Sequence, residues 1–183
     1  MLVERVEAKW IDVFREVFDL CRVATGDEVV ILSESQSRQI NVQLSELALL
    51  ALGAKVFHLV LPTPELISSV PIRSTGSSDA LRDRTPIVTA LAGTSLVVDL
   101  TVEGLLHAPQ LPNILEQGAR VLTISNEHPE ALERLRPEES LRSQVQDAVR
   151  KIKAAKSMRV ASEAGTQLTI DLANCPVAGV CGW

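Results

Sequence analysis

Four short runs constrain this chain more than anything else in it: "EVVILSE" (28–34), "AKVFHLVLP" (54–62), "SLVVDL" (95–100) and "ARVLTIS" (119–125). Each is apolar and rich in β-branched residues, long enough for a strand and too short for a buried helix. Helical spacing fills the intervals. Val3, Val6, Trp10, Val13, Phe14, Val17 and Leu20 recur three and four residues apart, the pattern of an amphipathic helix. Residues 38–52 close on Gly53, which suits a helix C-terminus, and further helices are expected at 81–92, 110–117, 129–135 and from Pro137 to near Lys156. Apolar strands alternating with helices require a parallel sheet covered on both faces. The expected class is therefore α/β, a three-layer domain with a mainly parallel sheet of about four strands. "MRVAS-EAG-TQLTIDL" adds a C-terminal β-hairpin that turns at Gly165. The expected division is an α/β domain over 1–157, followed by the hairpin and the start of a further segment over 158–183.

Composition removes several function classes. With 183 residues, 46% of them apolar, the chain can bury a sizeable core. A net charge of −5 with no basic run argues against nucleic acid as a partner, and 3% aromatics gives no platform for stacking bases. "MLVERVEAKW" carries charges throughout and is no signal peptide, while "LALLALGA" is too short to span a bilayer. Cys21, Cys175 and Cys181 form no CxxC pair, so neither a zinc knuckle nor a disulfide framework is written here, and a cytoplasmic location is expected. The first strand is followed by "LSESQS" rather than a GxGxxG loop, and no GxxxxGK[ST], GxSxG or HExxH occurs.

Ligands of open parallel sheets bind beyond the carboxyl ends of the strands. Those ends read Ser33-Glu34-Ser35, then Thr63, then Asp99 through Thr101, Glu103 and His107, then Ser125-Asn126-Glu127-His128. Residues 63–79, with Pro64, Pro71 and Gly76, form a long loop beside them, and loops of this length are usually functional or mobile. Polar groups also end strands simply to cap helices and meet solvent. Asp99 suits capping as well as ligand contact, Glu127 and His128 suit capping better, and His58 reads as a core or edge histidine. His107 stands apart: it follows Gly104-Leu105-Leu106 and precedes Pro109, on a loop where an imidazole can exchange a proton near neutral pH. The three histidines come from different loops and do not spell a metal site.

Three stretches together carry a family resemblance: "VVILSESQSRQINVQLSELALLALGAKVFHLVLP", "SLVVDL…LLHAPQLPNILEQGARVLTISNEHPEALERLRP" and "AAKSMRVASEAGTQLTIDL". They resemble the N-terminal domain of the 2,5-dihydroxypyridine 5,6-dioxygenases, with a more distant likeness in layout to thermophilic-type metalloaminopeptidases. The resemblance implies a longer protein whose mononuclear Fe(II) is held by histidines and an aspartate in a C-terminal domain, so no metal is expected on this chain itself. It implies that Leu106 and His107 match the Leu-His pair that reaches the substrate, the leucine packing on the ring and the histidine placed for hydrogen bonding or proton transfer. Asp99 and Glu103 are the accompanying substrate-side candidates. One departure concerns the substrate: Val180 stands where the dioxygenases have a carboxylate. The chain's end at "CPVAGVCGW" reads as a truncation.

Three functions compete on these grounds. The first is the substrate-side domain of an Fe(II)-dependent ring-cleaving dioxygenase acting on a hydroxylated pyridine or a similar aromatic ring. The second is the N-terminal domain of a metal-dependent aminopeptidase, and the third is a non-catalytic binding or assembly domain. Expected partners are a small aromatic molecule, the absent C-terminal domain and further copies of the chain, without nucleic acid or membrane.

Overall fold

Strand β1 (Glu28–Glu34) is buried from Val29 onward, so both its faces must be covered. In the computed structural model, which describes residues 5–65 and 76–182, β1 lies second in a four-stranded sheet of order β2-β1-β3-β4. It pairs in parallel with β2 (Lys55–Leu61) on one side and β3 (Leu96–Leu100) on the other, and β4 (Arg120–Thr123) pairs in parallel with β3. All four expected strands are present in the expected sense.

Alternation along each strand sorts side chains between two cores. Val29, Ile31, Leu96, Val98 and Leu122 pack with Trp10, Phe14 and Phe18 of α1 (Ala8–Leu20) and with Leu44, Ala48 and Leu49 of α2 (Gln39–Ala51). Val30, Leu32 and Val97 pack on the opposite face with Val88 and Leu91 of α3 (Thr85–Ala92) and Ile114 of α4 (Leu111–Leu115). This is the three-layer arrangement. The loop entering β2 is fixed by Gly53: its φ of +78° belongs to the left-handed region, and the N–H groups of Gly53 and Ala54 return to the carbonyls of Leu50 and Leu49. Those paired bonds close α2 as a Schellman cap.

Two expectations need adjustment. Helix α1 begins at Ala8, after an extended Glu7, so Val6 precedes it and Val3 lies outside the described residues. Its inward stripe ends on the fully buried Phe18, with Val17 and Leu20 only half-buried beside it. Most of the expected loop, residues 66–75, also lies outside the described residues. After it the chain makes a 3-10 turn at Asp79–Leu81, capped by the Ser78 hydroxyl, and α3 starts only at Thr85. A short helix α5 (Pro129–Arg134) comes after β4.

The chain divides into two compact units, Met1–Arg136 and Pro137–Trp183. The division falls before the long helix α6 (Ser140–Ala154), which groups with the hairpin, whereas the expected boundary came after it, at 157/158. In the second unit β5 (Ser157–Ala161) and β6 (Gln167–Asp171) pair antiparallel, as the "EAG" turn requires. Gly179 rests against α6: a Cβ there would stand 2.5 Å from Val149 and 2.7 Å from Val145. Among the described residues no helix is long and apolar enough to cross a membrane.

The two units differ in what they bury, and that difference is measurable. Phe18 is enclosed on all sides, so Phe18→Ala should cost about 3–5 kcal/mol in denaturant unfolding. No side chain of β5 or β6 is fully buried, and a two-stranded ribbon alone is marginal, so their amides should exchange with solvent far faster than those of β1. Equal protection in β1 and β5 by hydrogen exchange would contradict this.

Candidate functional site

The four parallel strands place their carboxyl ends at one rim, and hydrogen bonds stitch the segments leaving it. The Ser37 hydroxyl accepts from the Glu34 N–H at 2.7 Å and donates to the Leu100 carbonyl at 2.6 Å, joining the ends of β1 and β3. Gln36 N–H donates to the Thr63 hydroxyl, and Arg38 N–H donates to Asn126 Oδ1, bringing in the segments after β2 and β4. Chain order reverses between β1 and β3, since β1 is flanked by β2 on one side and by β3 on the other. A reversal of this kind opens the crevice where such sheets bind ligands.

Asp99 occupies this place and is 0% exposed. Its Oδ1 accepts from the Thr101 N–H at 3.0 Å and the Thr101 hydroxyl at 2.6 Å. Its Oδ2 accepts from the Leu105 N–H at 2.7 Å and the Thr123 hydroxyl at 2.8 Å. Every bond goes to the chain itself, and the carboxylate offers no surface to a substrate. It holds the segment 100–105 in a tight arc. Burial pushes the Asp99 carboxyl above its ordinary value, against the pull of those four donors.

The arc delivers Leu106 and His107. Leu105 and Ala108 are buried, and Ala108 N–H donates to the Leu105 carbonyl at 2.9 Å, so Leu106 and His107 are the two central residues of a hydrogen-bonded turn. Both are exposed, Leu106 at 56%. The buried-exposed-exposed-buried order of "LLHA" is what pins this turn by its flanks while presenting its tip. Gly104 enters it at φ +80°, and a Cβ there would stand 3.0 Å from Thr123 Cγ2, so the arc closes only around glycine. Glu103 is half-buried on the same loop, where its carbonyl accepts from the Gly76 N–H at 2.6 Å.

The other histidines lie elsewhere. His58 is on the edge strand β2, 3.5 Å from the Glu46 carboxylate. His128 caps α5, its Nδ1 accepting from the Glu130 N–H, and it meets Trp10 edge-on at 5.4 Å. Glu127 contributes its carbonyl to Asn41 Nδ2 at 2.9 Å. No three His, Cys, Asp or Glu side chains among the described residues are grouped to hold a metal ion.

Two features emerge only in three dimensions. Glu34, the last residue of β1, is 1% exposed and faces the same layer as Asp99; its Oε1 accepts from the Ser78 hydroxyl at 2.8 Å, and its Oε2 is buried without a hydrogen bond among the described residues. Burial raises the Glu34 carboxyl above its ordinary value; the Ser78 hydroxyl, the Val102 N–H and the Thr63 hydroxyl pull it back, and the Asp99 charge adds to the rise. The second feature is Gly76, whose backbone lies against the His107 ring. Alternation alone places Glu34 inward with Val30 and Leu32, and that signal is present in "VILSE"; nothing local to Gly76 or Ser78 announces their partners.

Both carboxyls have raised values in the folded chain, which fixes the sign of their linkage to pH. Stability from such groups is complete below the ordinary carboxylate value and is lost as pH rises through the elevated one. The contribution of these two groups to the unfolding free energy should therefore decline as pH rises above the ordinary carboxylate range. Glu34→Gln, which cannot ionise, should flatten part of that decline, so its stability relative to the parent grows with pH. Parallel denaturation curves across the range would contradict the assignment.

Comparison with known proteins identifies a family for the chain. The family model for NicX, 2,5-dihydroxypyridine 5,6-dioxygenase, matches residues 9–183. A 2,5-dihydroxypyridine 5,6-dioxygenase of Pseudomonas putida (strain KT2440) is 31% identical over 179 residues, covering 96% of this chain and 50% of that protein. The solved structure of 2,5-dihydroxypyridine dioxygenase from the same organism superposes with a TM-score of 0.78 at 30% identity, over 91% of this chain and 48% of that one. The chain thus spans about half the length of the relatives it matches. It belongs to the 2,5-dihydroxypyridine 5,6-dioxygenase family.

Proposed function

We propose that this chain forms the substrate-facing half of a ring-cleaving dioxygenase acting on 2,5-dihydroxypyridine or a closely related hydroxylated ring. The observation that carries the reading is the turn at Leu106-His107, where an apolar side chain and an imidazole stand exposed side by side on buried anchors. The leucine offers a face for a flat ring, and the imidazole offers a partner for a ring hydroxyl. A neutral imidazole nitrogen accepts the hydroxyl hydrogen bond and can take its proton as the ring gains electron density, then return it. Glu103 supplies a second carboxylate on the same loop. Asp99 acts through the backbone, keeping the turn at a fixed height.

Under this proposal the oxygen chemistry would come from Fe(II). The described side chains do not fit that ion, since none of their acids, thiols and imidazoles converge in threes. In this reading the iron is held by chain beyond these residues, and a second copy or a further domain faces the turn. The cytoplasm is the proposed location, in keeping with a small aromatic substrate.

In an active polypeptide containing this chain, His107→Ala should lower turnover of 2,5-dihydroxypyridine by about 10²-fold or more. Its melting temperature should barely move, because His107 is exposed. Following the loss of ring absorbance and the melting curve on the same preparation separates the roles. A lowered melting point with unchanged turnover would remove His107 from the site, and failure of the parent protein to consume the pyridinediol would remove the substrate.

A further inference from the structure

We propose that Glu34 is a positioning residue for the Leu106-His107 turn, acting through Ser78 and the short strap Gly76–Ser78 that flanks the imidazole. The proposal rests on reading that turn as the substrate-facing element.

The strap and the turn form a small backbone ladder. Gly76 N–H donates to the Glu103 carbonyl at 2.6 Å, Ser78 N–H donates to the Gly104 carbonyl at 2.7 Å, and His107 N–H donates to the Gly76 carbonyl. Contact is also direct. A Cβ on Gly76 would stand 3.0 Å from His107 Cδ2 and 3.4 Å from Leu106 Cβ, so the strap passes close to both residues at Gly76. Any displacement of the strap must therefore displace the imidazole.

What ties the strap to the rigid sheet is the Ser78 hydroxyl, which donates to Glu34 Oε1 at 2.8 Å and accepts the Ala80 N–H at 3.1 Å. Glu34 ends a strand paired on both sides, with its N–H held by Ser37. The turn is accordingly gripped twice: Asp99 holds its inner arc, and Glu34 holds the strap on its outer side. Packing alone does not account for a glutamate here. A buried carboxyl is a costly way to fill space, and an apolar residue of similar size would avoid the desolvation cost. A hydrogen-bond acceptor at fixed reach is what the carboxyl adds.

The test reads the imidazole rather than catalysis. Resonances of the three ring systems, His58, His107 and His128, would be tracked in the chain and in Glu34→Ala, Ser78→Ala and Glu34→Gln. Glu34→Ala and Ser78→Ala should shift or broaden the His107 signals and leave those of His58 and His128 in place. Glu34→Gln keeps an acceptor for the Ser78 hydroxyl and should restore the parent His107 spectrum. Ser78→Ala removes the same bond with a smaller change, so it serves if Glu34→Ala does not fold. An unmoved His107 in folded variants overturns the proposal, as does an equal response of all three histidines or a failure of Glu34→Gln to restore it. In an active polypeptide, Glu34→Ala should lower turnover by up to about 10²-fold, with Glu34→Gln close to the parent. Because the spectra need no substrate, a wrong substrate leaves this outcome readable, and a wrong role for Glu34 leaves the turnover test of His107 intact.

Discussion

At the end of β3 a carboxylate with no exposed surface accepts four hydrogen bonds, two of them from backbone N–H groups of the segment leaving the strand. Without Asp99 that segment would have to find other partners for the Thr101 and Leu105 amides in a place water does not reach. Unpaired buried amides cost about 1–3 kcal/mol each, enough to open the arc. The same carboxylate reaches Thr123 on β4, so the loop is fixed against two strands at once. The rim is thus built around a carboxyl group inside the fold. Its exposed residues are consequences of that interior bond set.

The arc explains why an apolar strand ends in polar groups. Leu96, Val97 and Val98 supply the buried centre of the sheet, and the chain must then leave it within a few residues and return a helix to cover the α3 face. Gly104 allows the sharp entry, Leu105 and Ala108 anchor the return, and Leu106 and His107 are left at the tip. An exposed leucine forgoes about 1.5–3 kcal/mol that burial would give. Here the flanks supply the anchoring, so the tip is available for contact with something other than the chain's own core.

Much of this was readable from residues alone, and the reasons are specific. The four strands announce themselves because each is a β-branched run bounded by turn residues, and Gly53 marks the end of α2 because a left-handed position there favours glycine. His107 stood out for its setting between Gly104 and Pro109. Asp99 was visible as a polar residue in an apolar strand, but whether it faced a ligand or its own backbone depends on where Leu105 and Thr123 return, which is a tertiary fact. The same holds for Glu34 and Ser78, 44 positions apart and joined only by folding. The grouping of α6 is a tertiary fact too, since helix periodicity says which face is apolar and nothing of which unit it joins.

The geometry also limits what the turn can do by itself. One leucine face and one imidazole hydrogen bond offer a flat ring a few kcal/mol at most, while association costs about 4 kcal/mol or more in lost freedom. A wall of this kind cannot hold a small aromatic molecule tightly. In the proposed role it would select one that another surface has already brought close, because an imidazole distinguishes a ring carrying a hydroxyl at the right edge from one that lacks it. Selection of that sort needs the imidazole and the apolar face to keep a fixed separation. A loop gripped from inside by Asp99 and from outside through Ser78 would keep it better than one held by side-chain packing alone. Under the proposed role the two buried acids belong together, as the stiffening that would let two exposed residues act as a gauge.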